Sequence, residues 1–600
     1  MGRKTRVLTL LLIWTLAIGV PLAGALAQDA PERTFFTLNL VYRSDDPTDA
    51  AIAKITQAEL AKIGIDVRLH TYEWGTLLDR IFFGGAQKTF DEGGWDLHIC
   101  YWIYDVADVN PRSVWHSEAN SPAGFQPYGY NSGRVDALIE AAERTFDLEV
   151  RGELYRRMQE EIFNDHPYAF LYIPKFAYLL DEAVENFEPI ETLRRLSDVR
   201  IAGKTEADDT QLIFQMGADV KNIGPILPKD TWTIIVSEGL YNPLIRVHKD
   251  PSTGALSFAP DVAESFEVSP DGRRITFRLR RDVRFHDGTP LTARDVKMTI
   301  DAHRAKDTGS VRYAIVATAL GDLEVRPDAV QIVDDYTVVL HLEEPFAPLL
   351  STLTFAGEFG IAPYHIWGQV PRSEWVRHWM NTGADGRLPI GTGPYRMVSW
   401  AKDEYIELEA SPYYHGAKPF VDRWFFRIIP ERATAIMAAE KGEVDIVHYQ
   451  SVPPAEVERL KGVPNLEVLT YLHPGFNGIG FNMNHPVLNN VKVRWAISYA
   501  LPRQHIIDNV LHGMGAHGAG PVPVQVTWAY NEQFNSGAIP HDLDRARALM
   551  EEAGYRFEYL EDPPAPAFTV TGFIAGIAAG AILTWLVLAA GRRRVVQSTT

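Results

Sequence analysis

Pro260 to Val296 reads PDVAESFEVSPDGRRITFRLRRDVRFHDGTPLTARDV. A short alternating run closes at Val268, Ser269-Pro270-Asp271-Gly272 turns the chain, and Ile275, Phe277 and Leu279 carry it back. Asp-Gly between two alternating runs predicts a tight β-hairpin, because glycine supplies the positive φ that the turn requires. A second Asp-Gly at 287–288 ends the next element. Thr292 and Asp295 then occupy the N-cap and N3 positions of a predicted helix, where each side chain can satisfy the other's backbone N–H. A hairpin, a loop and a capped helix fit many folds, so the flanking sequence has to decide between them.

The chain has 600 residues and is 46% hydrophobic, enough for two or three substantial lobes rather than one core. Its formal charge of −19 disfavours nucleic acid as a partner and says nothing against a small ligand. Cys100 is the single cysteine, which excludes an intramolecular disulfide and gives no support to a thiolate metal cluster or a Cys-anchored lipoprotein. It sits in the apolar run WDLHICYW, where burial rather than thiol chemistry is expected.

The ends carry membrane signals. Residues 1–27 have a basic start at Arg3, Lys4 and Arg6, an apolar run from Val7 to Val20, and Ala25-Leu26-Ala27, the layout of a cleaved signal peptide. Residues 567–590 carry no charge and would rise about 36 Å as a helix, enough for a hydrocarbon core of about 30 Å. Arg592 to Arg594 follow, predicting a cytoplasmic tail at 591–600 and a chain whose bulk is extracytoplasmic, on a stalk at 557–566. Gly572, Gly576 and Gly580 form a flat stripe that a second helix could approach.

Between the ends lie two soluble blocks. In the first, Phe35 to Tyr42, Pro47 to Ile63 and Ile65 to Leu69 predict a βαβ unit stopped at Gly64. Trp95 to Trp102 predicts a buried strand, and the loop IYDVADVNP after it lies where α/β proteins usually hold ligands. Helices are predicted at 133–145 and 148–164, the second capped by Asp147, before a strand at Ala169 to Ile173. In the second block, Gln211 to Met216 predicts a strand, and Asp542 to Tyr555 holds a helix.

The wording of residues 260–296 closely resembles the N-terminal third of the dipeptide, oligopeptide and nickel-binding class of ABC-importer solute-binding proteins. GTGPY at 391–395, SPYYHGAKPFVDRWFFRIIPERATAIMAAEKGEVDI at 411–446 and FNGIGFNMNHPVLNNVKVRWAISYALPRQHI at 476–506 resemble later parts of the same class, with Pro502 standing where it often has Asp. KIGIDV at 62–67 and the segment from Tyr130 to Ile162 resemble its C-terminal third, yet here they come first. Read as 210–556 followed by 35–200, the pattern is covered nearly end to end. The resemblance therefore implies a circularly permuted, two-lobed periplasmic-binding-protein (Venus flytrap) α/β fold with an extra subdomain, plus one C-terminal transmembrane helix. The alternative of two incomplete halves, fused or paired between chains, stays open.

The implied division is a second lobe at 31–168 and 471–556, a first lobe at 169–200, 211–243 and 391–470, a linker at 201–210 and an accessory subdomain at 244–390. The implied function is capture of a dipeptide or oligopeptide by lobe closure and delivery to separate permease and ATPase subunits. Asp105, three residues after Trp102, falls where peptide-binding members carry an Asp that pairs with the ligand's α-ammonium, and Asp108 is close enough to be the true match. No arginine in that strand or loop could take a carboxylate, apart from Arg112 beyond it. Tyr101, Trp102 and Tyr104 would equally suit an oligosaccharide. From the other lobe, Lys229, Asp230 and Trp232 occupy a ligand-contacting loop, and Phe476 with Asn477 sits near the lobe crossing. A sensory or surface protein using the same fold is the remaining alternative.

Enzymatic motifs are absent from the sequence. There is no G-x-x-x-x-G-K-[ST], no H-E-x-x-H and no G-x-S-x-G. His512 and His517 come nearest to a metal site but have no carboxylate or thiol at ligand spacing, so neither metal nor cofactor is expected.

Overall fold

A computed structural model describes residues 34–104, 110–121, 125–189, 195–205, 207–227, 230–250, 256–518, 520–534 and 539–557. The expected signal peptide, the stalk beyond Phe557, the membrane helix, the tail, Asp105, Asp108 and Lys229 lie outside the described residues. Among the described residues no helix is long and apolar enough to cross a membrane.

The opening βαβ unit forms as expected. Phe36–Arg43 pairs in parallel with Ile65–Tyr72 across the helix Pro47–Ala61. The Asp46 carboxylate accepts from the Thr48 N–H at 2.8 Å, and Gly64 takes φ +77° beyond the helix's end. The hairpin at 260–279 also forms. Ala263–Val268 runs antiparallel to Arg274–Leu279 in a four-stranded sheet with Thr337–His341 and Val330–Asp334, and Gly272 takes φ +67° in the turn. Ile275, Phe277 and Leu279 point inward onto Val296 and Ile300 of the helix Ala293–His303, whose Thr292–Asp295 capping box is present.

The strands of both sequence blocks interleave in a single twelve-stranded sheet. From one edge its order is Ile65–Tyr72, Phe36–Arg43, Leu97–Ile103, Gly475–Phe481, Tyr168–Asp181, Ile446–Val447, Gln211–Met216, Arg423–Ile428, Tyr405–Ala410 and Tyr395–Ala401. Leu466–Leu472 and Gly515–Ala516 also pair with Tyr168–Asp181. Gly475–Phe481 is thus held between two strands from the first block, with Phe476 opposite Trp102 and Ile479 opposite both Ile99 and Ala169.

Tyr168–Asp181 is far longer than the expected run Ala169–Ile173. Tyr168 to Tyr172 pairs with Gly475–Phe481, whereas Lys175 to Asp181 pairs with Leu466–Leu472. Nearly the whole strand is buried on both faces, so it carries no hydrophobic alternation by which its length could be read.

Packing joins the blocks as closely as pairing does. The core around Leu38, Leu40 and Ile52 also contains Ile497, Ala546 and Met550 from the far end of the chain. Phe35 lies 5.3 Å from Tyr555 and 5.0 Å from Phe557, ring centre to ring centre. Two buried arginines bridge the same seam. Arg503 donates to the carbonyls of Phe170 and Ser498, each at 2.7 Å, and Arg494 donates to those of His166, Asp165 and Leu488.

The stretch joining the blocks is seated where it is described. Val184–Glu185 pairs with Arg200–Ile201, while Leu196 and Val199 are fully buried in the core that also holds Phe214 and Tyr395.

Candidate ligand-binding site

A cavity of about 430 Å³ is lined by Ile103 and Tyr104 at the end of a large-sheet strand, by Arg195 to Ser197 of the joining stretch, and by residues between Thr231 and Glu358. Its floor is the helix Thr231–Leu240. Thr231, Ile234 and Glu238 share one face at helical spacing and line the cavity, while Thr233 and Val236 on the opposite side are buried. The helix begins at Asp230, whose carboxylate accepts from the Thr233 N–H at 2.9 Å and the Thr233 hydroxyl at 2.8 Å. Beyond its C-terminus Tyr241, Asn242 and Arg246 continue the wall.

The two motifs FHDG and GTGPY meet here. Buried His286 accepts from the Gly391 N–H through Nδ1 at 3.1 Å, and its Nε2 lies 3.1 Å from the Gly393 carbonyl. That pairing fixes the neutral tautomer, and burial holds the imidazole down to about 4. A Cβ on Gly391 would lie 2.0 Å from the Leu240 carbonyl oxygen, and one on Gly393 2.3 Å from that of Gly239. Only glycine lets this segment press against the helix end and bring Pro394 into the wall.

The charged groups around the cavity are of both signs. Arg312 and Glu358 form an ion pair at 2.6 Å, so they largely cancel. Glu238 accepts from the Gly357 N–H at 3.1 Å, and buried Asp261 lies 3.3 Å from His415 Nε2. Arg195 and Arg246 differ. Among the described residues neither has an ion-pair or side-chain hydrogen-bond partner, and the Arg246 Nε–H is buried without an acceptor. Tyr414 stands among these charges, its phenol pushed up by burial and by Asp261, against the opposing pull of Arg195 and Arg246. Phe355, Tyr241 and Tyr449 add aromatic surface, and His473, held neutral by burial at about 3, closes the side near the crossing strands.

The sequence-derived residues divide around this cavity. Tyr104 lines it, with its hydroxyl accepting from the Trp115 indole at 2.9 Å and its N–H donating to the Pro474 carbonyl at 2.8 Å. Ile103 beside it is half exposed and also lines the wall. Trp102, two residues before Tyr104 and on the same face of the chain, is not part of the cavity wall and donates its indole N–H to the Tyr128 hydroxyl at 2.7 Å. Phe476 is buried among Tyr104, Trp115, Tyr168 and Phe170, and Asn477 donates to the Tyr172 hydroxyl at 2.9 Å. Asp230 serves as the helix cap, and Trp232 packs 4.5 Å from His448. Arg112 is bound bidentately by Glu143.

The arginines that do face the cavity come from Arg195, Arg246 and Arg312, far from the strand where sequence reasoning sought one. A helix face at 231, 234 and 238 was the one local signal for this wall. Nothing local marked the arginines, because the fold assembles them from distant segments. Among the described residues no group of three or more His, Cys, Asp or Glu is placed to hold a metal.

A continuous twelve-stranded mixed sheet, a second four-stranded sheet and a charged, aromatic cavity make up an α/β architecture. Residues 257–559 match the family described as bacterial extracellular solute-binding proteins, family 5 Middle, and the chain belongs to that family. A putative ABC transporter peptide-binding protein of Brucella ovis is 30% identical over 338 residues, covering 56% of this chain and 58% of that one. The dipeptide-binding protein of Escherichia coli is 30% identical over 333 residues, covering 52% and 58%. The chain thus spans less than two thirds of the length of these relatives. Among solved structures, the oligopeptide-binding protein AppA of Bacillus subtilis, in complex with a nonapeptide, is 24% identical with a TM-score of 0.45, covering 59% of this chain and 65% of that one.

Proposed function

We propose that this protein is the extracytoplasmic receptor of an ABC importer and captures a dipeptide or short oligopeptide between two closing lobes. One observation carries the reading: the cavity presents guanidinium groups that have no partner among the described residues together with carboxylates, as a zwitterionic ligand requires and a neutral sugar does not. Closure would draw its free energy from contacts available only when both walls meet the ligand. The relatives' descriptions as peptide- and dipeptide-binding proteins point the same way. Permease and ATPase subunits would be separate chains, and the helix at 567–590 would tether the receptor to the membrane.

The lobes in this reading are 31–168 with 471–556, and 169–200 with 211–243 and 391–470, with 244–390 as the accessory subdomain. We read the order of the two blocks as a circular permutation. Its support is the pairing of Gly475–Phe481 with strands from the first block on both sides, and the contact of Phe35 with Tyr555, where the order has been cut. Titrating the purified protein with peptide and oligosaccharide libraries, with scattering to follow compaction, tests the function. Saturable, compacting binding of peptides is expected. Saturable binding of sugars alone would overturn the reading.

A further inference from the structure

We propose that a ligand's carboxylate is held between Arg195 and Arg246, and that Arg195, carried on the stretch joining the two blocks, sets the site's preference for that anion. The inference rests on the peptide reading above and deepens it. Both side chains line the cavity, and both lie within Coulombic reach of the Tyr414 phenol. Arg312, on the same wall, is neutralised by Glu358, whereas Arg195 and Arg246 have no such partner among the described residues. Two guanidinium groups without a hydrogen-bonding partner among the described residues line one cavity, and an entering carboxylate would accept charge-assisted hydrogen bonds from them. A guanidinium fork suits a carboxylate better than a point charge would.

Residues 196–202 of the joining stretch are anchored next to Arg195. Leu196, the next residue, is 1% exposed and Val199 is fully buried. The Tyr395 hydroxyl donates to the Leu196 carbonyl at 3.4 Å, and the Ala202 N–H donates to the Ala183 carbonyl at 2.8 Å. Arg195 therefore projects from a fixed backbone into the cavity, next to Ser197, which also lines it. Arg246 faces it from the start of the accessory subdomain, so the anion would bridge two parts of the molecule far apart in sequence.

The carboxylate could be a peptide's C-terminus or an acidic side chain. Calorimetric titration of the full chain with trialanine, trialanine amide and Ala-Asp-Ala amide separates these sources, in the wild type, Arg195→Gln and Arg195→Lys, with thermal midpoints confirming that each variant is folded. Arg195→Gln should weaken trialanine tenfold or more and trialanine amide less than twofold, with Arg195→Lys in between. A matching loss for Ala-Asp-Ala amide would assign the side-chain carboxylate as a second acceptable source and supports the same pair of residues. Equal effects of Arg195→Gln on trialanine and its amide would overturn the inference and leave the peptide reading standing. Failure of the wild type to bind any of the three would overturn both.

Discussion

Arg494 and Arg503 at the seam between the two sequence blocks contrast with Arg195 and Arg246 at the cavity. The seam pair is buried, and burial pulls their guanidinium groups down to about 10 and about 9. Their donors are nonetheless directed at carbonyls of the other block. The cavity pair has no protein acceptor among the described residues. A guanidinium with its hydrogen bonds satisfied inside the protein belongs to the architecture, whereas one lining a cavity without an acceptor is the kind that a ligand's carboxylate would complete.

Truncation at the seam should show the largest effect. Arg503→Ala orphans the buried carbonyl of Phe170 and leaves a void, so unfolding in urea should reveal a loss on the order of 3 kcal/mol. A loss comparable to a surface substitution would erase the distinction between the two pairs.

Acid should come close behind. His286, whose partners are as complete as those of Arg503, is held near 4 in the folded protein against about 6.5 in the unfolded chain. The unfolded state therefore binds more protons between those values. The contribution of His286 is fully present above about pH 6.5 and is lost as the pH falls through 4, for up to about 3 kcal/mol. Urea midpoints measured from pH 7 to 4 should fall less steeply in His286→Gln than in the wild type.

Gly475 tests how tightly the blocks are laced. A Cβ there would sit 1.9 Å from the Trp102 carbonyl oxygen, so Gly475→Ala should cost about 1–3 kcal/mol by the same urea assay. The smallest change in stability is expected at the cavity. Arg195→Gln should stay within about 0.5 kcal/mol of the wild type, since among the described residues its side chain has no hydrogen-bond or ion-pair partner.

Local signals in the sequence were legible where short-range chemistry dictates the backbone. The 269–272 turn, the Thr292–Asp295 box, the Asp147 cap and the βαβ unit around Gly64 all appear where their residues place them. The length of Tyr168–Asp181 was not legible, because burial on both faces removes the alternation that marks a strand. The candidate site was legible at Tyr104 alone among the described aromatics and polar residues singled out from the sequence. Asp230 resembled a ligand contact, yet the geometry that exposes a carboxylate at a helix start is the geometry of a cap. Arg195 looked like linker, and its place in the wall depends on Leu196 and Val199 docking into a core built mostly from residues beyond 210.

Residues of both blocks line the one cavity proposed to hold the ligand. Hydrogen–deuterium exchange, read by mass spectrometry with and without a saturating di- and tripeptide pool, is the decisive experiment. Ligand-dependent protection is expected in Ile103–Tyr104, Arg195–Ser197, the helix Thr231–Leu240 and Thr354–Glu358 together. Protection confined to one block, with Ile103–Tyr104 and Arg195–Ser197 unchanged, would contradict it.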